Sequence, residues 1–512
     1  MSKTRKRLLL TAGILLLIFL LGYGIGTVVI RAKIDAAISE ALPNEYALEY
    51  QKSEFNLWTA TYALQQPTLR INDSAAQPVL KVSLEKVRLQ GIDYWGYLVK
   101  DAIRIKNLRL DQPQLQYYSA RSFPTSDSGK KKSTKTFQIK NVQLNNATIE
   151  VLQEADSLKM YLANVSAAIN NIAPIQKKIP SYDEVSFSSD SLFVQLNAFD
   201  QLTLNNIQLE DAQLRLDEFR ITTQGSEADL SKASPKEKDH YDIVIPKLTF
   251  NGFKARHQAT SWGVYARSLR LSQPDIKIYR DKRLPDDTSF KPMFGQLLRE
   301  LSFPLGIDSV DVENLKLIYR EKITTSEPPG EVTFSNFQAA IANVGNTYPD
   351  STQTRIDVTT HIFKNTSIDA LWTFRVQDTL DRFTFECEAG AFQSQVMNSF
   401  TIPSSRMALE GRINKTYFTI TGDDDQGHIN LKTNFKNFRI RMLEEEGRDT
   451  KEITNLLANA VVNKESSDEE DNFKEGKATT ARVKNKSAFN YIWINIMAGL
   501  RKAILDHNDD DD

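Results

Sequence analysis

The sequence has few of the residues that catalysis and metal binding need. The 512-residue chain contains one cysteine, Cys387, and five scattered histidines. A single cysteine excludes an intramolecular disulfide and any zinc site built from several thiolates. The patterns G-x-x-x-x-G-K-[ST], H-E-x-x-H and G-x-S-x-G are absent after residue 30. The sequence therefore predicts no catalytic residue, no metal site and no cofactor, and a protein that is not an enzyme.

The chain also lacks an excess of charge of either sign. It has 64 Lys and Arg against 65 Asp and Glu, a net charge of −1. No global basic surface attracts nucleic-acid phosphates, so we expect no nucleic-acid partner. The one dense acidic group, Asp423-Asp424-Asp425, is followed by no spaced glutamate of the kind that calcium loops use. We interpret it as a hairpin turn.

A long uncharged segment lies near the N-terminus. Residues 8–30 carry no charge, and at about 1.5 Å per residue they form ~35 Å of helix, enough to span a bilayer. The basic residues of segment 1–7, Lys3 to Arg7, predict a cytoplasmic N-terminus with the rest of the chain on the far side. A cleaved signal peptide is the alternative. It is less favoured because its apolar region is usually shorter and no A-x-A-like cleavage site follows.

Residues 46–440 alternate between apolar and polar side chains, which predicts a mainly β fold. Cys387 is in phase with Phe383 and Phe385, so we interpret it as an apolar residue of a buried face rather than a nucleophile. Asn251-Gly252 matches a type I′ hairpin turn, which predicts antiparallel neighbours. The expected architecture is an elongated, twisted antiparallel sheet that forms a groove.

A short pattern recurs along this β-rich region, in which the apolar alternation is broken by a polar pair and then resumes. Such a break indicates a bulge or bend between two strand halves, and proline suits it because it cannot donate to the ladder. Three copies contain proline: Leu64 to Leu69, Leu110 to Leu115 and Leu271 to Ile276. Three copies lack it: Leu144 to Ile149, Leu209 to Leu214 and Val312 to Leu317.

A few segments show helical periodicity instead. They are residues 31–45, directly after the predicted anchor, and residues 293–301, 453–461 and 489–504. The range 441–512 is predicted to be helical, with a flexible acidic loop and tail. The apolar stripe of residues 489–504 fits a helix that caps an open sheet end better than one that contacts a membrane surface or a partner.

The order of an N-in anchor, a short helix and bend-containing strands resembles the AsmA-like family of bacterial envelope proteins. The resemblance rests on residues 103–115, 268–276 and 310–319, which look like strand pairs of that family. It implies a repeating β-groove, similar to chorein-type bridge proteins, that carries phospholipid acyl chains between membranes. It further implies a single-pass protein of the bacterial inner membrane with a periplasmic body, a role in outer-membrane homeostasis, and partners among outer-membrane or other envelope proteins.

A sheet with one continuous apolar face has to be covered, roll up or hold an apolar ligand. The helical segments are too few to cover it, so we expect a lipid-holding groove. The candidate lining residues are Leu108, Leu110, Leu115, Leu269, Leu271 and Ile276. The alternative is a non-enzymatic envelope scaffold whose sheets pack as sandwiches and bind protein partners. A hydrolase with an unrecognised site is a third reading, which the missing motifs disfavour.

Overall fold

The computed structural model describes residues 20, 22–36, 45–93, 96, 102–124, 136–153, 157–172, 184–258, 261–363, 365–443 and 473–505. Of these residues, 60% lie in strands and 15% in helices, so the fold is mainly β as the alternation predicts. The chain divides into two units, and the division falls within one strand, Asp200–Glu210.

Unit 1 comprises residues 1–196 and 203–211. It begins with a helix, α1, over residues 22–36. Its strands are β1 Tyr46–Glu49, β2 Lys52–Asn56, β3 Thr61–Gln65, β4 Thr68–Asn72, β5 Pro78–Ser83, β6 Lys86–Ile92, β7 Ala102–Asp111, β8 Gln114–Tyr118, β9 Thr136–Leu152, β10 Leu158–Asn170 and β11 Glu184–Gln195, followed by most of β12, Asp200–Glu210.

Unit 2 comprises residues 197–202 and 212–512. Its strands are β13 Gln213–Thr223, β14 Asp239–Asn251, β15 Lys254–Gln258, β16 Ser261–Ser272, β17 Asp275–Asp281, β18 Leu305–Lys322, β19 Gly330–Gly345, β20 Thr354–Ile362, β21 Thr366–Phe374, β22 Phe383–Ala389, β23 Phe392–Gln393, β24 Met407–Gly422, β25 Gln426–Met442 and β26 Lys474–Ala481. Its helices are α2 Glu227–Ala233, α3 Phe294–Arg299, α4 Asn398–Ser405 and α5 Ala488–Leu505, with a 3₁₀ turn at Ser394–Met397.

The sheet in each unit is mixed, which corrects the prediction of a purely antiparallel one. Strands β7 and β8 both run parallel to β9, and β16 and β17 both run parallel to β18. The chain reaches these parallel neighbours through residues 119–135 and 282–304. Connections of that length return the chain to the end of the sheet from which it started, as a parallel pair requires. The other pairs that the structure records are antiparallel, as predicted.

The predicted type I′ hairpin at Asn251-Gly252 is wrong. Strands β14 and β15 do not turn back on each other, because both pair antiparallel with the same strand, β16. Gly252 has a φ of +66°, whereas Asn251 is not left-handed. A type I′ turn needs positive φ at both positions. The single left-handed glycine therefore makes a bulge that bends one continuing strand.

The predicted hairpin at Asp423-Asp424-Asp425 is confirmed, since these residues link the paired strands β24 and β25. Helix α3 matches the predicted segment 293–301. Strand β26 lies inside the range 441–512, for which the helical prediction is therefore wrong at this point. The alternation does not reveal this strand because its residues are mostly small or charged. The predicted helix 453–461 lies outside the described residues. The prediction for 31–45 is described only to residue 36, as the end of α1.

Among the described residues, no helix combines the length and hydropathy that crossing a membrane requires. Most of the predicted anchor, residues 8–19 and 21, lies outside the described part of the chain.

Candidate functional site

In unit 2, the side chains that pair across successive strands form continuous apolar rows. Each row takes one residue from each strand that it crosses, and the next member is its backbone partner on the neighbouring strand. One row consists of Leu214, Phe250, Leu269, Val310, Ile341, Ile356, Trp372, Phe385, Ile420, Ile429 and Ala478. A second, two residues along each strand, consists of Leu216, Leu248, Leu271, Val312, Ala339, Val358, Ala370, Cys387, Phe418 and Leu431.

Unit 1 has rows of the same kind. One consists of Leu64, Val87, Leu110, Leu144, Ala167 and Phe187. A second, two residues away, consists of Tyr62, Leu89, Leu108, Val142, Ile169 and Val185. Beyond the bends a third row consists of Leu48, Leu69, Val82, Leu115, Ile149, Leu162 and Leu192. Each unit therefore presents an apolar face several strands wide.

The recurring sequence pattern forms the bends between these rows. In all six copies the third residue is left-handed, with φ between 48° and 54° at Gln66, Gln112, Asn146, Asp211, Gln273 and Asn314. In the copy at Asp211 the next residue, Ala212, is left-handed too, and the pair forms the turn from β12 to β13. The prediction of a bend is confirmed for the other five copies, and the sixth is a turn.

Proline fits these bends because its nitrogen faces no acceptor. The residue before it donates its N–H to the neighbouring strand, as Gln112 does to the carbonyl of Asn145 at 2.9 Å. The carbonyl of Pro113 then accepts the N–H of Thr148 at 2.7 Å. Around Pro274, Gln273 donates to Glu313 at 2.8 Å and Lys316 donates to the proline carbonyl at 2.9 Å. The ladder therefore continues past the proline without needing its missing donor.

Four copies of the pattern pair with each other. The copy from Leu110 lies beside the copy from Leu144, and the copy from Leu271 lies beside the copy from Val312. In both pairs the strands are parallel and the register is identical, so that first residues face first residues and last face last. In both pairs a proline copy thus lies beside a copy that has asparagine and no proline.

The left-handed residue also brings the side chains before and after the bend onto the same face of the sheet. Residues five apart on a regular strand point to opposite faces, since successive side chains alternate. Leu48, the backbone partner of Leu69, nevertheless packs in the same apolar cluster as Leu64. The two ends of a bent strand therefore contribute to one face, and Leu110 and Leu115 stand in the same relation in the next copy.

A helix covers each apolar face at one end. In unit 1, Ile30 and Ile34 of α1 pack against Phe55, Tyr62 and Leu64. In unit 2, α5 packs against β24 and β25, where Ile420 and Leu431 are 0% exposed. The interpretation of residues 489–504 as a helix that caps the sheet is confirmed by these contacts.

Between the covered ends many row members are half-buried, although Leu248, Val310 and Ala339 of unit 2 are buried. Leu89, Leu108, Leu110, Leu115 and Leu144 of unit 1 are all half-buried. So are Leu269, Leu271 and Ile276 of unit 2. The cluster around Ala266, Ile307 and Val310 that includes Leu269 and Leu271 is built from strand residues. These row members are therefore only partly covered by the rest of the chain.

All six candidate lining residues lie in the apolar rows. Leu108, Leu110 and Leu115 belong to unit 1, and Leu269 and Leu271 to unit 2. Ile276 lies in a further row with Ile243 and Leu317. Sequence reasoning missed their neighbours on β9 and β18, because strand order cannot be deduced from alternation alone.

Cys387 occupies the position that the alternation predicts. It lies between Ala370 and Phe418 in its row and packs against the cluster under α5. Burial raises the pKa of its thiol to about 12, and the carboxylates of Asp369 and Glu388 add to the shift. A thiol with so high a pKa is a poor nucleophile at neutral pH.

The opposite, polar phase of the strands forms two concavities. One, of about 630 Å³, follows the bends of β7 to β11 and is lined by Gln112, Gln114, Asn146, Thr148, Asn164, Ser166, Ser188 and Asp190. The other, of about 570 Å³ in unit 2, is lined by polar-phase residues that include Asp357, Asp369, Glu386, Glu388 and Lys432, and also by the row members Val358, Ala370, Cys387 and Phe418. Within the described residues, no three His, Cys, Asp or Glu side chains are arranged to hold a metal ion.

Comparison with known proteins adds no family. No family model matches the chain, and no curated protein matches it either.

Proposed function

We propose that this chain is an AsmA-like protein of the bacterial envelope, anchored in the inner membrane by residues 8–30, whose periplasmic body holds or transfers phospholipid and so supports outer-membrane homeostasis. The acyl chains would lie along the apolar rows that contain Leu108, Leu110 and Leu115 in unit 1 and Leu269, Leu271 and Ile276 in unit 2. In this proposal the chain acts without catalysis.

The contrast between the covered and open parts of one row carries the proposal. Leu271 and Leu431 belong to the same row, yet Leu431 is completely buried under α5 whereas Leu271 is half-buried. Where the row continues beyond its covering helix, half-buried members such as Leu271 leave part of their apolar surface to water, and soluble proteins rarely leave large contiguous areas of this kind uncovered. Acyl chains are a suitable cover because they are flexible, apolar and need no hydrogen bonds.

Site-specific photocrosslinking in the full-length chain tests the proposal. A photoreactive amino acid at Leu110 or Leu271 should crosslink to phospholipid in cells, detected as phosphate label on the purified protein. The matched controls are Gln143 and Thr249, which sit next to row members but point to the opposite face. Lipid adducts at all four positions, or at none, would contradict a lipid-binding face.

The scaffold alternative predicts a different outcome. If the rows were the dry interior of a sandwich, Leu110→Asp with Leu271→Asp would bury unpaired carboxylates and unfold the protein. In a lipid-lined face, the same double variant should stay folded with only a modest fall in melting temperature and should lose lipid, since each charge opposes acyl chains by about 2–4 kcal/mol. Gln143→Asp with Thr249→Asp is the control for added charge, and Leu431→Asp is the control for a truly buried site.

The topology is tested separately. Because the basic residues precede the uncharged segment, a reporter that is active only in the cytoplasm should be silent when fused after Asp512. A fluorescent signal from that fusion would overturn the proposed orientation.

A further inference from the structure

The tip of the β2–β3 hairpin reaches the part of α1 that belongs to the uncharged segment. Leu57 lies against Gly26, where an added Cβ would be 3.6 Å from its Cδ2. The ring of Trp58 stacks on Tyr23 with centroids 5.8 Å apart. Both helix residues fall within the predicted anchor, residues 8–30. If residues 8–30 span the membrane, the tip of the hairpin therefore lies beside a part of α1 that is inside the bilayer.

The hairpin and the helix are held in this arrangement by a partly buried polar network. Arg31 donates to the hydroxyl of Ser53 at 2.9 Å, and Ser53 donates to Asp35 at 2.9 Å. The phenol of Tyr62 donates to the other carboxylate oxygen of Asp35 at 2.5 Å. Ser53 and Tyr62 are each 1% exposed. Because β2 and β3 provide these partners, the position of the tip along α1 is set.

The surface around the tip is apolar and open. Trp58 is 70% exposed, and Ile25 and Val28 of α1 are each 65% exposed. Tyr23 lies eight residues before Arg31, the first charge after the uncharged segment, which at about 1.5 Å per residue is ~12 Å along the helix axis. In a hydrocarbon core about 30 Å thick, that level lies within the acyl chains of one leaflet. The large apolar ring of Trp58 suits such a level.

We propose that the tip of this hairpin, residues 57–60, inserts into the periplasmic leaflet of the inner membrane beside the anchor. The insertion would place the covered end of the unit 1 face at the bilayer surface, where an acyl chain can pass from the leaflet to the rows of Leu64 and Leu110. This inference deepens the proposed function and rests on it. We assign this apolar surface to the bilayer because Ile25 and Val28 belong to the uncharged segment, and the exposed ring of Trp58 extends the same surface.

A depth measurement on the full chain tests the insertion. Cys387→Ala supplies a background into which Thr59→Cys, at the exposed tip, or Ser74→Cys, at the exposed β4–β5 turn, is introduced. Each cysteine carries an environment-sensitive fluorophore, and the protein is reconstituted into phosphatidylcholine and phosphatidylglycerol vesicles with nitroxide-labelled acyl chains. We expect several-fold stronger quenching at Thr59 than at Ser74. Trp58→Asp should reduce the quenching at Thr59 while the melting temperature is retained.

The outcomes separate this inference from the proposed function. If the protein floats with the vesicles but Thr59 is quenched no more than Ser74, the insertion is wrong while lipid binding on the rows is untouched. If the protein does not float, the anchor and the insertion are both wrong. Shielding of Thr59 that depends on protein concentration and not on the nitroxide would assign the surface to a second copy of the chain and overturn the bilayer.

Discussion

Leu110 and Leu144 are backbone partners on two parallel strands, and each is the first residue of a copy of the same six-residue pattern. The equivalent pair in unit 2 is Leu271 and Val312. Pairing like with like aligns the bends of neighbouring strands, so the apolar rows on either side of the bends stay continuous. The pattern thus acts on the sheet as a whole, because a bend in one strand needs a matching bend in the next.

The left-handed residues should tolerate glycine and reject β-branched side chains. Asn146 has a φ of 52° within β9, a conformation that costs most residues about 1–2 kcal/mol. We expect Asn146→Val to lower the free energy of unfolding by about that amount and Asn146→Gly to change it by less than ~0.5 kcal/mol. Urea unfolding of the full chain measures both. Gln143→Val, an exposed position of the same strand, is the control, and an equal loss there would contradict the explanation.

Truncation should distinguish the covered part of a row from the open part. Leu431→Ala leaves a cavity under α5 and should cost about 2–5 kcal/mol. Leu271→Ala removes a half-buried side chain from an open face and should cost ~1 kcal/mol. Equal losses in the free energy of unfolding would mean that the row around Leu271 is as tightly covered as the row around Leu431.

Cys387 should be almost inert towards thiol reagents in the native protein. With its pKa raised to about 12 by burial, its thiolate fraction near pH 8 is on the order of a thousandfold below that of an ordinary cysteine. The rate of reaction with a disulfide reagent should therefore rise by at least about a hundredfold when urea unfolds the chain. A native rate close to the unfolded rate would show that the row is open at β22.

Glu321 should destabilise the native state at neutral pH. Burial raises the pKa of its carboxyl, and Glu237 adds to the shift, while Lys282, Arg280 and the hydrogen bond from Tyr319 oppose it. A raised native pKa means that stability is retained below the pKa of the unfolded chain and is lost as the pH rises through the native value. Glu321→Gln should accordingly melt higher than the parent chain at pH 7.5.

Melting temperatures at acidic pH test the explanation given for Glu321. Near pH 4 the carboxyl is mostly protonated in both states, so the melting temperatures of Glu321→Gln and the parent chain should nearly converge there. A difference that is constant from pH 4 to pH 7.5 would mean that the substitution acts through packing rather than through ionisation.

Local features of this protein follow from its sequence because they depend on neighbouring residues. Alternation predicts the strands and the phase of Cys387, since a pleated strand turns successive side chains to opposite faces. The Gln-Pro and Asn-Ala pairs predict bends, since proline cannot donate to the ladder and asparagine tolerates a left-handed backbone. The failed hairpin at Asn251-Gly252 marks the boundary of this reasoning, because whether one or both residues become left-handed depends on the partner strand.

Which strands are neighbours was decided by tertiary structure alone. The parallel pairing of β7 and β8 with β9, and of β16 and β17 with β18, requires long connections whose paths no local pattern records. The same holds for the burial of Leu431 and the openness of Leu271, which have the same alternation in sequence and differ because α5 packs on one end of their row. Periodicity specifies which face of a strand is apolar, whereas the covering of that face depends on where distant elements pack.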